Sequence, residues 1–402
     1  MKKKILVTGL AAAAVALSGT AFANNWLLYL PAILAGSEGG TEPPPEKTGN
    51  NWLLYLPAIL AGSQGSEPPP VTGLNDTGII DCSGVTGSAD CAYGRDFTDS
   101  DPGDGHAGFS FTKLDSTGKA LASSATSWVC VRDNVTGLVW MDKEWITDDK
   151  KDWTTAQSDA AGFSACGLEE LDWRVPTLKE LTSIVSYDAE SPSVDGDYFR
   201  LPATGPVFWT VNASAVDSGK AWNIDFNFFG LLDYTSSKTA TLYVRFVYGT
   251  EQTEAFTDNG TTVTDSNTGL TWKKCLEGQS WSGSACTGTV AETDWSGALT
   301  AASDAGANWR LPNIKELQSI ADYQNSQPAI NGTFFPDTPA PTSNVWSNSP
   351  YVGASNTLWY MSFNGTDSGT GIGYGEALPL GTETGTYHVR LVCDGDKDAC
   401  PL

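Results

Sequence analysis

Two short stretches of the chain place apolar residues at helical spacing, and they are near copies of one another. Leu178, Leu181, Ile184 and Val185 form one stripe, and Ile314, Leu317, Ile320 and Ala321 form the other. A period of three to four residues predicts a helix with one buried face. Thr177 stands three residues before Glu180, and Asn313 three before Glu316. This is the spacing of a capping box, in which the two residues satisfy each other's backbone N–H groups. Pro176 and Pro312 push the preceding residue toward extended backbone, so each helix is entered from a strand or loop. The full stretches read DWRVPTLKELTSI from Asp172 and NWRLPNIKELQSI from Asn308.

The N-terminal pattern is different. A lysine-rich start, an apolar run from Ile5 to about Leu17 and the small-x-small triplet Ala21-Phe22-Ala23 predict an export signal of bacterial type over residues 1–23. The segment 24–75 then carries NNWLLYLPAILAG twice, from Asn24 and from Asn50, each time followed by a Gly/Ser/Glu/Pro spacer. Triple prolines favour polyproline II and cannot join a packed core, so the spacers read as semi-stiff linkers within a flexible, Pro-rich N-terminal region. The apolar blocks Trp26–Leu34 and Trp52–Leu60 are candidates for self-assembly or partner docking, because exposed apolar blocks mark contact surfaces. A tether or a membrane-interface contact through their Trp and Tyr residues is the alternative. Neither block is long enough to span a bilayer, and no Cys stands at the cleavage point to take a lipid.

The helix motif belongs to a longer duplication. VRDNVTGLVW from Val131 matches VTDSNTGLTW from Val263, and Ala-rich stretches then begin at Trp153 and Trp295. After the helix motif come Tyr187 or Tyr323, Tyr198-Phe199 or Phe334-Phe335, Trp209 with Trp222 or Trp346 with Trp359, and a closing YVRFV or HVRLV. A period of domain size predicts two tandem homologous domains, over 76–250 and 251–402.

Charge narrows the partners. Loss of the signal removes three lysines and leaves 20 basic against 47 acidic residues, a net charge of −27. Such a field repels nucleic acid and sulfated polysaccharide. All eight cysteines follow the signal, which in an oxidising compartment predicts disulfides. Proximity and the repeat suggest Cys82 with Cys91, Cys275 with Cys286 and Cys393 with Cys400, leaving Cys130 with Cys166.

The repeated motif reads as structure rather than chemistry. Trp173 and Trp309 would pack at the helix entrance, and Arg174 and Arg310 can fork to a carboxylate or to carbonyls. The chain has only two histidines, His106 and His388, which do not recur between copies, and no Gly-x-Ser-x-Gly, His-Glu-x-x-His or phosphate loop. The ordered set Thr-Gly-Leu-x-Trp, Trp-Arg-x-Pro-x-x-Lys-Glu-Leu, Phe-Phe-Pro, Trp-Ser-x-Ser-Pro and Val-Arg-Leu-Val resembles the Lcl C-terminal domain family, also called DUF1566. Copy two carries it best, with NWRLPNIKEL, TFFPDT, VWSNSP and HVRLV; copy one has YFRLP and VFWTVN in the corresponding places. The resemblance implies an α+β fold of two tandem C-type-lectin-like domains, each with short mixed or antiparallel strands and two helices. It also implies a secreted or surface-displayed, non-enzymatic protein that recognises glycan or protein ligands.

In such a fold the variable segment of copy two, from Val345 to Thr386, is the expected ligand surface. Asn348, Tyr351, Asn356, Asn364, Asp367, Tyr374 and Glu376 are the candidate contacts, since short polar groups beside aromatic faces suit glycan or protein surfaces. Trp346, Trp359 and Tyr360 read instead as core. No cofactor is expected; the acidic turn holding Asp99, Asp101 and Asp104 is a weak calcium candidate that lacks the closing Glu of an EF-hand loop. The competing expectations are an enzyme built on the related formylglycine-generating shape, which needs reactive cysteines, and a structural surface-assembly component.

Overall fold

The computed structural model describes residues 73–401 apart from 88–89, 94–103, 107, 143–149, 169–171, 189–190, 204, 228–230, 307, 326–327, 337–343, 364–375 and 396–397. Residues 1–23, expected to be an export signal, both apolar blocks, Asp99, Asp101, Asn364, Asp367 and Tyr374 therefore lie outside the described residues. Pro68–Leu402 form one unit that holds both copies.

Copy one begins with three strands, β1 (Phe111–Leu114), β2 (Cys130–Asp133) and β3 (Val139–Met141). Helix α1 (Trp153–Ala160), strand β4 (Trp173–Arg174) and helix α2 (Leu178–Ser183) follow. Strands β5 (Val207–Ala213), β6 (Lys220–Asp225), β7 (Leu231–Ser237) and β8 (Val247–Tyr248) complete it. Copy two repeats this as β9 (Phe256–Asp258), β10 (Thr262–Asp265) and β11 (Leu270–Lys273), then a small hairpin, β12 (Gln279–Trp281) with β13 (Cys286–Gly288). Next come β14 (Glu292–Thr293), α3 (Trp295–Asp304), β15 (Trp309–Arg310) and α4 (Ile314–Ser319). The copy closes with β16 (Asn344–Pro350), β17 (Thr357–Ser362), β18 (Glu376–Thr382), β19 (Tyr387–His388) and β20 (Val392–Asp394).

The duplication holds at the level of strand order. One five-stranded sheet runs β1-β2-β3-β8-β4 and its counterpart β9-β10-β11-β20-β15, so the last strand of each copy inserts between the first hairpin and the motif strand. The second sheets run β5-β6-β7 and β14-β19-β16-β17-β18. Copy one keeps the extra pairings only as bridges, Lys151 to Leu242 and Phe208 to Tyr243. The pairing is antiparallel throughout except Val345 to His388 and Phe208 to Tyr243, so the architecture is small, mainly antiparallel sheets with four helices among the described residues.

Local chemistry explains the hairpins. Asp133 and Asp265 end β2 and β10, and each accepts a hydrogen bond from the backbone N–H two residues on, at 2.9 Å. Gly137 and Gly269 then take φ of +77° and +75°, a backbone that a side chain would strain. Trp140 and Trp272, three residues further along, are fully buried. The pattern Asp-x-x-Thr-Gly-Leu-x-Trp is thus a turn followed by a core anchor.

Both predicted helices form with the predicted stripes inward. Leu178, Leu181, Ile184, Val185, Ile314, Leu317, Ile320 and Ala321 are all buried, and both capping boxes are closed. These stripes meet in one core that spans the two copies, together with Trp140, Trp222, Trp272 and Trp359. Each copy also has its own outer core, built on Trp173 and Trp209 in copy one and on Trp295, Trp309 and Trp346 in copy two.

The seam between copies obeys an approximate two-fold relation. Lys179 Nζ donates to the Ser319 carbonyl at 2.8 Å, and Lys315 Nζ to the Ser183 carbonyl at 2.9 Å. Tyr187 meets Trp359 edge-on at 5.0 Å, and Tyr323 meets Trp222 at 5.7 Å. A self-complementary contact of this kind is the geometry of a symmetric dimer, here built within one chain.

Candidate functional site

Each arginine, lysine and glutamate of the repeated motif has an internal task. Arg174 donates through Nη1 and Nη2 to the Glu180 carboxylate at 2.7 and 2.5 Å and through Nε to the Gly249 carbonyl at 3.0 Å. Glu180 also accepts the Thr177 backbone N–H at 2.8 Å, so one carboxylate closes the capping box and holds the arginine. In copy two Arg310 forks to Glu316 at 2.8 and 2.6 Å. There the carbonyl is replaced by a second carboxylate, Asp394, at 3.2 and 2.5 Å. Burial works against the charge of Arg310, but Glu316 and Asp394 outweigh it and hold its pKa well above the usual guanidinium range. Trp173 and Trp309 are buried beside these pairs, and Pro176 and Pro312 offer their carbonyls to Val211 and Asn348 at 2.8 Å. The lysines are the seam contacts already described.

A second arginine pair lies in YVRFV and HVRLV. Arg245 donates to the Met141 and Arg200 carbonyls at 2.8 and 2.7 Å and lies 3.3 Å from Asp142. Arg390 donates to the Lys273 and Lys274 carbonyls at 2.9 and 2.7 Å, and burial pushes its pKa down to about 9. Sequence reading assigned these arginines no role. The available signal was their recurrence, flanked by apolar residues, in the closing strand of both copies.

The predicted ligand residues separate. Asn348 was expected at the surface, but it is 1% exposed: β16 is an inner strand between β19 and β17, and the Asn348 amide donates to the Leu311 carbonyl at 3.1 Å. Tyr351 is half-buried, its ring 5.6 Å from that of Trp359. Asn356 is exposed at the end of the β16–β17 turn, with φ of +59°, and its backbone N–H donates to the Gly84 carbonyl at 2.8 Å. Glu376 opens β18 opposite Ser362, and no more is described of its side chain. Trp346, Trp359 and Tyr360 are buried, as their reading as core requires. Of the expected contacts among the described residues, Tyr351 and Asn356 are brought to one turn, beside exposed Val352 to Ser355.

A feature with no local sequence signal is the strap from Gly73 to Tyr93. Asn75 donates to Asp133 of copy one at 2.6 Å, while Asp76 accepts from Asn313 of copy two at 2.8 Å. Further on, Thr86 supplies its carbonyl to Trp295 Nε1 and its N–H to Glu383. Asp90 is buried against β16; burial and the nearby Asp76 push its carboxyl well above the usual range, against hydrogen bonds from Ser349 and Thr77. His106 lies 3.2 Å from Asp188, whose hydrogen bond raises the imidazole pKa. Asp104 accepts the Ser110 hydroxyl at 2.5 Å. No three His, Cys, Asp or Glu side chains converge as a metal set among the described residues.

All eight cysteines are paired, as Cys82–Cys91, Cys130–Cys166, Cys275–Cys286 and Cys393–Cys400, the pairing read from the sequence. No helix among the described residues is long and apolar enough to cross a membrane. The pairing of every cysteine is consistent with an exported protein.

No curated protein matches the chain. The Lcl C-terminal domain matches residues 129–248 and again 261–393, together more than half of the sequence and in register with the two copies of the fold. The chain therefore belongs to the Lcl C-terminal domain family and carries that domain twice in tandem.

Proposed function

We propose that this protein is a secreted or surface-displayed recognition module of lectin-like architecture, which binds glycan or protein ligands without turning them over. The observation that carries the reading is the fate of the family motif. Its arginines, glutamates and lysines are all engaged in internal hydrogen bonds, so the motif braces the fold and leaves contact with ligands to the segments between strands. The four disulfides support it further: they engage every thiol that chemistry on the formylglycine-generating shape would need.

The β16–β17 turn with Tyr351 and Asn356, together with Asn364, Asp367, Tyr374 and Glu376 in the segment that follows, is the proposed contact surface. Asn356 offers a clean test, because glycine accepts its left-handed backbone while removing the amide. Screening the exported chain on a glycan array and against surface-protein extracts would identify a ligand. Asn356→Gly and Tyr374→Ala are each expected to weaken its capture about 5-fold or more, roughly 1 kcal/mol or above for a lost directional contact. Melting should stay unchanged. Capture that survives both substitutions would remove this surface from the reading.

A further inference from the structure

The strap is held in two different ways along its length. Its first part, Asn75 to Ile79, is buried and tied to both copies through Asn75 and Asp76. Ile80 then stands out at 58% exposure, and Asp81 beside it is exposed. Beyond this point the disulfide Cys82–Cys91 closes a loop whose two ends must move together. The loop seats on copy two. Val85 is buried in the outer core of that copy, and the Gly84 carbonyl accepts the Asn356 N–H at 2.8 Å. Thr86 accepts Trp295 Nε1 at 2.8 Å and donates its N–H to Glu383 at 2.9 Å. An exposed joint leading into a closed loop is the layout of a hinge and a flap.

Asp90 fastens the far end of this loop. Its carboxyl accepts from Thr77 Oγ1 of the anchored part at 3.1 Å and from the Ser349 hydroxyl of β16. The side chain is 2% exposed and forms no ion pair among the described residues. The charged groups that face it are carboxylates, Asp76 from the anchored part and Glu316 from α4. Arg310 of β15 is committed to Glu316 and to Asp394 of β20, and β16 carries no ionisable residue. An ionised Asp90 would thus be buried beside two other carboxylates without a cation of its own, which is costly. Burial first and Asp76 next raise its carboxyl well above the usual range, outweighing the two hydroxyls. Once the loop lifts, water solvates the charge and the cost disappears.

We propose that the Cys82–Cys91 loop is a pH-operated flap, closed on copy two while Asp90 holds a proton and lifted when that proton leaves. The open loop has the ordinary carboxyl value of about 3.9 and the closed loop a raised one. Closure is therefore favoured most below the first value, and the preference is lost as pH rises through the second. Copy one serves as the comparison, because it has no such loop and its matching face differs accordingly. Trp153 Nε1 donates inward to the Thr210 carbonyl, where Trp295 donates to the loop. Gln157 stands where copy two has Leu299, against which Gly87 packs so closely that a Cβ there would lie 2.9 Å from Cδ1. Lys238, whose carbonyl accepts the Trp153 N–H as that of Glu383 accepts the Trp295 N–H, replaces the carboxylate that holds Thr86. Lifting the flap uncovers Trp295 and Leu299 and removes the Gly84 brace from Asn356, so Asp90 sets the state of the β16–β17 turn. The inference rests on the strap's own contacts and would stand even if that turn met no ligand.

The test is hydrogen exchange of the full chain without any ligand, from about pH 4 to about pH 9, a range that starts at the ordinary carboxyl value. Exchange is read by NMR at the Asn356 amide and the Trp295 indole N–H, the two donors that the loop covers, and by mass spectrometry over the strap peptides. Protection factors, which remove the intrinsic pH dependence of exchange, should fall by up to ~10-fold per pH unit through the window, the limit for one proton. Asp90→Asn should keep them level to within about 2-fold, since the amide never ionises. Asp76→Asn removes one facing charge and should shrink the fall. Protection that does not change with pH, or that falls equally in the wild type and in Asp90→Asn, would overturn the proposal. Should Asp90→Asn fail to fold, Asp76→Asn decides, and an undiminished fall in that variant would overturn the proposal as well.

Discussion

The Arg–Glu pairs at the helix entrances show how one side chain can fix several others. Glu316 closes the cap of α4 and grips Arg310, whose side chain is 6% exposed, whereas Arg174 in the matching pair is 23% exposed. Breaking a buried pair leaves an uncompensated charge and costs about 3–5 kcal/mol. Glu316→Gln should therefore cost about 3 kcal/mol, near the lower end because Asp394 still holds Arg310, and Glu180→Gln should cost less. Urea unfolding of the two variants, compared at equal slope, checks the order. The sequence showed that arginine and glutamate recur together, and the capping spacing located the glutamate. It could not show that Asp394 joins one pair and a carbonyl the other, because β20 and β8 reach the motif only through the folded sheet.

Among the elements, the strap and the disulfides carry separate expectations. Asp90 has a carboxyl raised by burial and by Asp76. A group with a raised native pKa favours the protonated fold, so its contribution is fully present below the unfolded value of about 3.9 and is lost as pH rises through the native value. Melting temperatures of the wild type should fall with pH over that window, and Asp90→Asn should flatten the fall; an unchanged slope would mean the strap is not held by a protonated acid. For the disulfides, Cys130–Cys166 spans 36 residues and Cys393–Cys400 spans 7. Loop-closure entropy makes the longer link worth roughly 1–1.5 kcal/mol more, a difference that paired Cys→Ser variants would reveal in unfolding midpoints. The helices, their stripes and the cystine pairs were legible because each is set by residues close in sequence. The strap was not, since Asn75, Asp76 and Thr86 find partners more than fifty residues away, in one copy or the other. Asn348 was misjudged for a related reason: its polarity suggested the surface, while the pairing of β16 between β17 and β19 put it inside.

On the scale of the whole molecule, the duplication predicted two domains, and the structure shows them joined through one core. Leu178, Leu181, Ile314 and Leu317 lie in the same cluster as the buried Trp residues of both copies. The lysines of the motif could have announced this: a charge kept twice beside a buried stripe needs an acceptor, and each finds a carbonyl in the other copy. Separate domains on a linker would have their own melting transitions, but bodies sharing a core should unfold together. Differential scanning calorimetry of the chain and of Leu317→Ala tests this most directly, since the substitution costs about 2–5 kcal/mol at a core residue that copy two contributes. A single transition that shifts as a whole, with calorimetric and van't Hoff enthalpies equal, is the predicted result. Two transitions, of which Leu317→Ala moves only one, would contradict it.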